Sequence, residues 1–352
     1  MNNPPSNSPE DQLHAQENWA EDGRAAGDAP AEEIAAEQRV AETAPAAPFA
    51  VPVSPEFGLE QRQQMSGEGS LFESFTQLPP PPPPARIPHL GHLLLVAALA
   101  LMGLTVSIGF YVGGVHLHLF GVTSLQAAGN DIHYILGTEA VIYLVTFGLA
   151  LLVFPVVWHK SLLEGLQWNG ATALRLSGRL VGAAFVCFVL AFLNGELMPG
   201  PTNTPIEKIF KTPGAAWLLF AFGVTLAPFF EEVLFRGFLL PALCTAYDWI
   251  SENITGQLPR PLGEHGHPQW SLAAMVVGSL ATSLPFAAMH AEQTGYAVGP
   301  FLLLVGVSLV LCGVRLVTRS LASSVLVHAC YNFMLFSLML IGTGGFRHLD
   351  KM

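Results

Sequence analysis

Phe229-Phe230-Glu231-Glu232-Val233-Leu234-Phe235-Arg236-Gly237 sets two adjacent carboxylates and a guanidinium inside an apolar run. From Ala215 to Ala246 these three are the only charged residues. A charge at mid-membrane costs about 2.5–3.5 kcal/mol on insertion scales, so three in one stretch need a reason. On a helix, positions four apart share a face, which pairs Glu232 with Arg236; Glu231 then points about 100° away. The spacing gives one carboxylate to structure and leaves the other for chemistry. A plain structural alternative stays open here: a buried ion pair, with a second Glu that only fixes helix packing.

The rest of the chain says what surrounds this stretch. Hydrophobic residues make up 51% and charged residues 12% of 352, with a mean hydropathy of +0.46. That is about half the charge of a soluble domain, and it points to an all-α polytopic membrane protein. The net charge of -11 is unevenly placed: residues 1–86 hold 14 acidic residues against 4 Arg. This segment, rich in Ala, Pro and Glu, has no sustained apolar period and is expected to be a disordered acidic tail. Pro79 to Pro84 should form a stiff polyproline spacer before the membrane domain, 87–352. The first residues are polar and acidic, so no signal peptide is expected and the first hydrophobic helix serves for targeting. Nothing suggests nucleic acid as a partner. Membrane lipids are the expected surroundings.

A span needs about 20 mostly apolar residues. Leu90 to Val112, Ile132 to Val157 and about Leu174 to Leu193 meet this, the second interrupted by Glu139 and the third carrying Arg175 and Arg179 near its start, placed to snorkel. The run from Ala215 to Ile250 is long for one upright helix and carries Pro228 three residues before Glu231, so a tilted or broken helix, bent beside the carboxylates, is expected. A polar loop, Ser251 to Gln269, leads to Trp270–His290, Val298–Leu316 and Leu321–Ile341. The count is seven spans, within a range of six to eight. With the central run as one crossing, one side holds Arg86, Lys160, Arg175, Arg179, Arg260, Arg315 and Arg319, and the other Lys208, Lys211, Arg347 and Lys351. Seven against four places the N-terminus in the cytoplasm, in the cell (inner) membrane. Cys187, Cys244, Cys312 and Cys330 lie in apolar stretches and read as packing thiols. His116, His118, His265 and His267 read as interfacial or solvated, and Glu139 needs a partner or a cavity.

Two later spans bring further polar groups: Phe286-Ala287-Ala288-Met289-His290, just after Pro285, and His328-Ala329-Cys330-Tyr331-Asn332, whose His and Asn share a face. One Glu, two His and one Asn from three helices can thus converge. A carboxylate and imidazole to deprotonate water, with imidazole and carboxamide donors for an oxyanion, make up the inventory for peptide hydrolysis.

Glu-Glu-x-x-x-Arg, Phe-x-x-x-His and His-x-x-x-Asn, in that order on successive membrane helices, resemble the CAAX protease and bacteriocin-processing (Abi) family of intramembrane endopeptidases. The resemblance covers about 215–340. It implies that Glu231 and His290 hold the attacking water, that His328 and Asn332 stabilise the oxyanion, and that Glu232, Arg236 and Phe286 support them. The substrate implied is a membrane-associated protein or peptide. No cofactor is favoured; zinc is the alternative, with Glu231, His290 and His328 as its ligands. Two other classes stay open at this point: a proton-coupled transporter that uses the buried Glu and His, and a non-catalytic scaffold of the same fold.

Overall fold

In a bilayer every backbone polar group must be satisfied within its own segment, and a sequence this apolar has one economical answer, the helix. The computed structural model describes residues 86–198, 204, 214–263 and 266–346. Among them it has seven helices long and apolar enough to cross a membrane and no strand, only one isolated bridge, Leu262 to Pro268. These are α1 (Leu90–His116), α2 (Ile132–Trp158), α3 (Ser177–Leu197), α4 (Ala215–Thr255), α5 (Leu272–Met289), α6 (Val298–Thr318) and α7 (Leu321–Gly342). The acidic tail, the proline run, His265 and the four basic residues assigned to the far side lie outside the described residues.

Local signals set the helix starts. Asp131 caps α2 through the amides of His133 and Tyr134, and Ser271 caps α5 through Ala274. Ser271 is itself held by Asp248, which accepts from its amide at 2.9 Å and its hydroxyl at 2.5 Å. This fixes the start of α5 at Leu272 rather than Trp270; the Trp270 indole instead donates to Thr245. The third span begins at Ser177, because Asn169 starts a separate short helix, Gly170–Arg175, that ends at Leu176.

α4 is the most buried of the seven. At 1.5 Å per residue its 41 residues extend roughly 60 Å, about twice the hydrocarbon thickness. It solves the excess by breaking and by projecting. The break falls at Thr225 (φ -116°, ψ -76°), three residues before Pro228 rather than at it, because the proline has no N–H for the carbonyl four residues back and its ring crowds that turn. The far end carries Asp248 and Glu252; Glu252 accepts from Arg86 at 2.9 Å and so ties the chain ahead of α1 to α4.

Around α4, one cluster joins Val96 and Leu99 of α1, Phe154 and Trp158 of α2, and Val233 and Phe238 of α4. Another joins Leu180 and Cys187 of α3, Val307 and Leu311 of α6, and Val327 and Tyr331 of α7. Lipid tails are as apolar as leucine, so close packing rather than exclusion from water holds such helices together. Gly278 shows how close: a Cβ there would lie 2.6 Å from the Cys244 sulfur and 3.5 Å from its backbone nitrogen. Gly278→Val is therefore expected to destabilise the α4–α5 contact by about 1–3 kcal/mol, read as a lower melting temperature in detergent. All four cysteines are free; Cys187, Cys244 and Cys312 are buried and Cys330 half-buried.

Candidate active site

Two departures of α4 from regular helix, the break at Thr225 and a segment after Glu232, flank its two carboxylates. After Glu232, α4 passes through a π-helical segment, Val233–Leu239, which closes with the Leu240 amide on the Phe235 carbonyl, five residues back. Such insertions concentrate at functional positions because they turn side chains that a regular helix could not aim together. Through the change of register Glu232 and Arg236 stay paired, Nη1 to Oε1 at 2.9 Å, with both side chains fully buried. The guanidinium also donates to the Ser308 hydroxyl at 2.7 Å and the Ser308 carbonyl at 3.1 Å. It lies 4.5 Å from the centre of the Phe286 ring, within cation–π range. Phe286 in turn meets the rings of Phe235, His290 and His328, so it is the apolar divider of the cluster.

Glu231 takes no part in that pair. One of its oxygens faces His290 Nε2 at 3.8 Å and the other faces His328 Nε2 at 3.8 Å. Each imidazole is fixed through its other nitrogen. His290 is the C-cap of α5, and its Nδ1 meets the Phe286 carbonyl at 2.8 Å. That carbonyl is one of those a helix end leaves without an amide donor, so Nδ1 must donate, and in the neutral form of the ring a bare Nε2 faces Glu231. His328 Nδ1 meets Glu232 Oε1 at 2.9 Å, again as donor, so Glu232 accepts from both Arg236 and His328. Asn332 stands one helical turn after His328 on α7. Its amide donates to the Gly223 carbonyl at 2.7 Å, in the turn that the Thr225 break disrupts, so the break in α4 has a side-chain partner on α7.

The three motifs thus meet in one place. Glu231 and His328 are buried, His290 and Asn332 half-buried. Among the described residues no three His, Cys, Asp or Glu side chains are arranged to hold a metal ion.

Sequence reading missed Ser308, although it stands alone as a hydroxyl in the apolar middle of α6. It also took Arg315 as an interfacial charge. The structure corrects this: Arg315 is 3% exposed, which removes it from the orientation count. Glu139 has its partner in Tyr143, whose hydroxyl donates to it at 2.7 Å. The Tyr143 ring stacks on Phe230, with centroids 4.9 Å apart, next to Glu231. His116 and His118 are exposed at the end of α1.

Neither a curated protein nor a solved structure matches the chain. A family profile does, over residues 213–334, a little over a third of the chain, and its description is Type II CAAX prenyl endopeptidase Rce1-like. That interval holds every residue of the three motifs. Residues 213–334 are accordingly similar to the Rce1-like type II CAAX prenyl endopeptidase domain, in line with the family that the three motifs resemble.

Proposed function

We propose that this protein is an intramembrane endopeptidase that hydrolyses a peptide bond in a membrane-associated protein or peptide, with a prenylated CAAX-type C-terminus as the substrate class to test first. One observation carries the reading: both oxygens of Glu231 face an imidazole Nε2 at 3.8 Å, while Glu232 is committed to Arg236 and His328. A gap of that size is too long for a direct hydrogen bond and fits a water bridging the two groups.

In this reaction Glu231 takes a proton from the water as its oxygen attacks the peptide carbonyl, and the bare Nε2 of His290 orients that water. The oxyanion is held by Nε2–H of His328 and the second amide hydrogen of Asn332. With Nδ1 donating to Glu232, His328 offers that N–H in its doubly protonated form, with a carboxylate on each ring nitrogen. Glu231 then returns its proton to the leaving nitrogen as the C–N bond breaks. The N-terminus on the cytoplasmic side of the cell membrane belongs to the same proposal.

The mechanism runs without metal. Zinc is the alternative, and its ligands would be Glu231, His290 and His328. The test uses purified protein in detergent with a farnesylated CAAX peptide, before and after metal stripping. Turnover retained in stripped protein is the expected result. Complete loss with o-phenanthroline, restored by zinc at about one ion per chain, would sink the metal-free mechanism. If this peptide stays uncut and membranes with wild-type protein or Glu231→Ala show the same protein fragments, the endopeptidase reading itself fails.

A further inference from the structure

Arg315 is a buried cation that the proposed chemistry does not use. It projects from α6 toward α4, 3% exposed, and it donates to backbone: Nε to the Arg236 carbonyl at 3.3 Å and Nη2 to the Leu166 carbonyl at 3.2 Å. A guanidinium this deep in a membrane protein is costly to retain, so what it holds should matter.

What it holds follows from the backbone of α4. In the π register each carbonyl accepts from the amide five residues later, as Phe235 does from Leu240. The next carbonyl is that of Arg236, and five residues on stands Pro241, which has no N–H to give. The π segment therefore ends on an orphaned buried carbonyl, a group that costs about 1–3 kcal/mol if left unpaired. Arg315 Nε supplies the missing donor. Its second donor reaches Leu166, whose side chain packs against Gly237. One planar group thus clamps the π segment against the chain between α2 and α3, and does so at the residue whose side chain holds Glu232.

We propose that Arg315 is a positioning residue: it fixes the register of Val233–Leu239, and through it the aim of Glu231, Glu232 and Arg236. The role rests on the hydrolytic reading above, but its first test does not. Hydrogen exchange of the amides between 233 and 240, in purified protein in detergent, is expected to speed up at least tenfold in Arg315→Gln, while exchange in α3 stays unchanged. Arg315→Lys keeps the charge with a single donor head and should fall between. On the farnesylated peptide, Arg315→Gln is expected to lose at least tenfold in kcat with KM unchanged. Gly278→Val serves as a control of comparable melting temperature that leaves the clamp in place, and should keep kcat. If Arg315→Gln does not fold, Arg315→Lys carries both measurements. Unchanged exchange at 233–240, or a lowered melting temperature with kcat per folded molecule intact, would overturn the proposal. If the wild type leaves the farnesylated peptide uncut, the exchange measurement alone decides whether Arg315 sets the register, and the membrane-fragment comparison decides the endopeptidase reading.

Discussion

Glu231→Gln should reduce peptide turnover by about 10²–10⁴-fold, the usual contribution of a positioned general base, with the melting temperature in detergent unchanged. Glutamine fills the same volume and keeps a polar head toward the two imidazoles, so packing is preserved. The change removes only the ability to take a proton. Stability should hold because Glu231 lies outside the Glu232–Arg236 pair and stands 3.8 Å from each ring nitrogen. The measurement is kcat and KM on the farnesylated peptide alongside a melting curve of the same preparation. Full turnover in Glu231→Gln would remove it from the role of base, and an equal fall in melting and activity would assign it to structure.

The pairing of Glu232 with Arg236, and the placement of Glu231 outside it, were legible in the sequence, since they needed only helical spacing and the cost of a buried charge. The positions of the spans were legible too, because about twenty apolar residues with few charges leave little choice. What the sequence hid was backbone detail. The bend expected beside the carboxylates falls at Thr225, and the π register after Glu232 has no signature in hydropathy, because both depend on which carbonyl lacks a donor. Arg315 was misread for a related reason. Near the end of an apolar run a snorkelling arginine and a buried one look alike, and only the orphaned carbonyl of Arg236 separates them. Pro241 was the available sign, a residue without N–H placed five positions after the buried Arg236. Similarly, Glu139 could be flagged as needing a partner, and Tyr143 stands at the helical spacing that supplies one.

Arg236→Ala is expected to destabilise the protein by about 3–5 kcal/mol, because it takes the guanidinium from the ionised Glu232, in a site with no exposed surface, and leaves it His328 as a remaining partner. The loss is larger than one ion pair suggests. The same guanidinium satisfies both the carbonyl and the hydroxyl of Ser308 and covers the face of Phe286, so removing it also loosens α6 and α5 from α4. Glu232→Gln should cost less than Arg236→Ala. Its amide oxygen can still accept from Arg236 and from His328 Nδ1, although Arg236 is left without a neutralising charge. The double variant Glu232→Gln/Arg236→Met separates the two contributions. With neither charge stranded it should melt above Arg236→Ala, which would show that an unpaired buried charge, not lost packing, dominates the single variant. Were the double variant to melt at or below Arg236→Ala, the lost packing against Phe286 and Ser308 would outweigh the stranded charge. Were Arg236→Ala to melt with the wild type, Glu232 would not be held as an ion and the structural role assigned to the pair would fall.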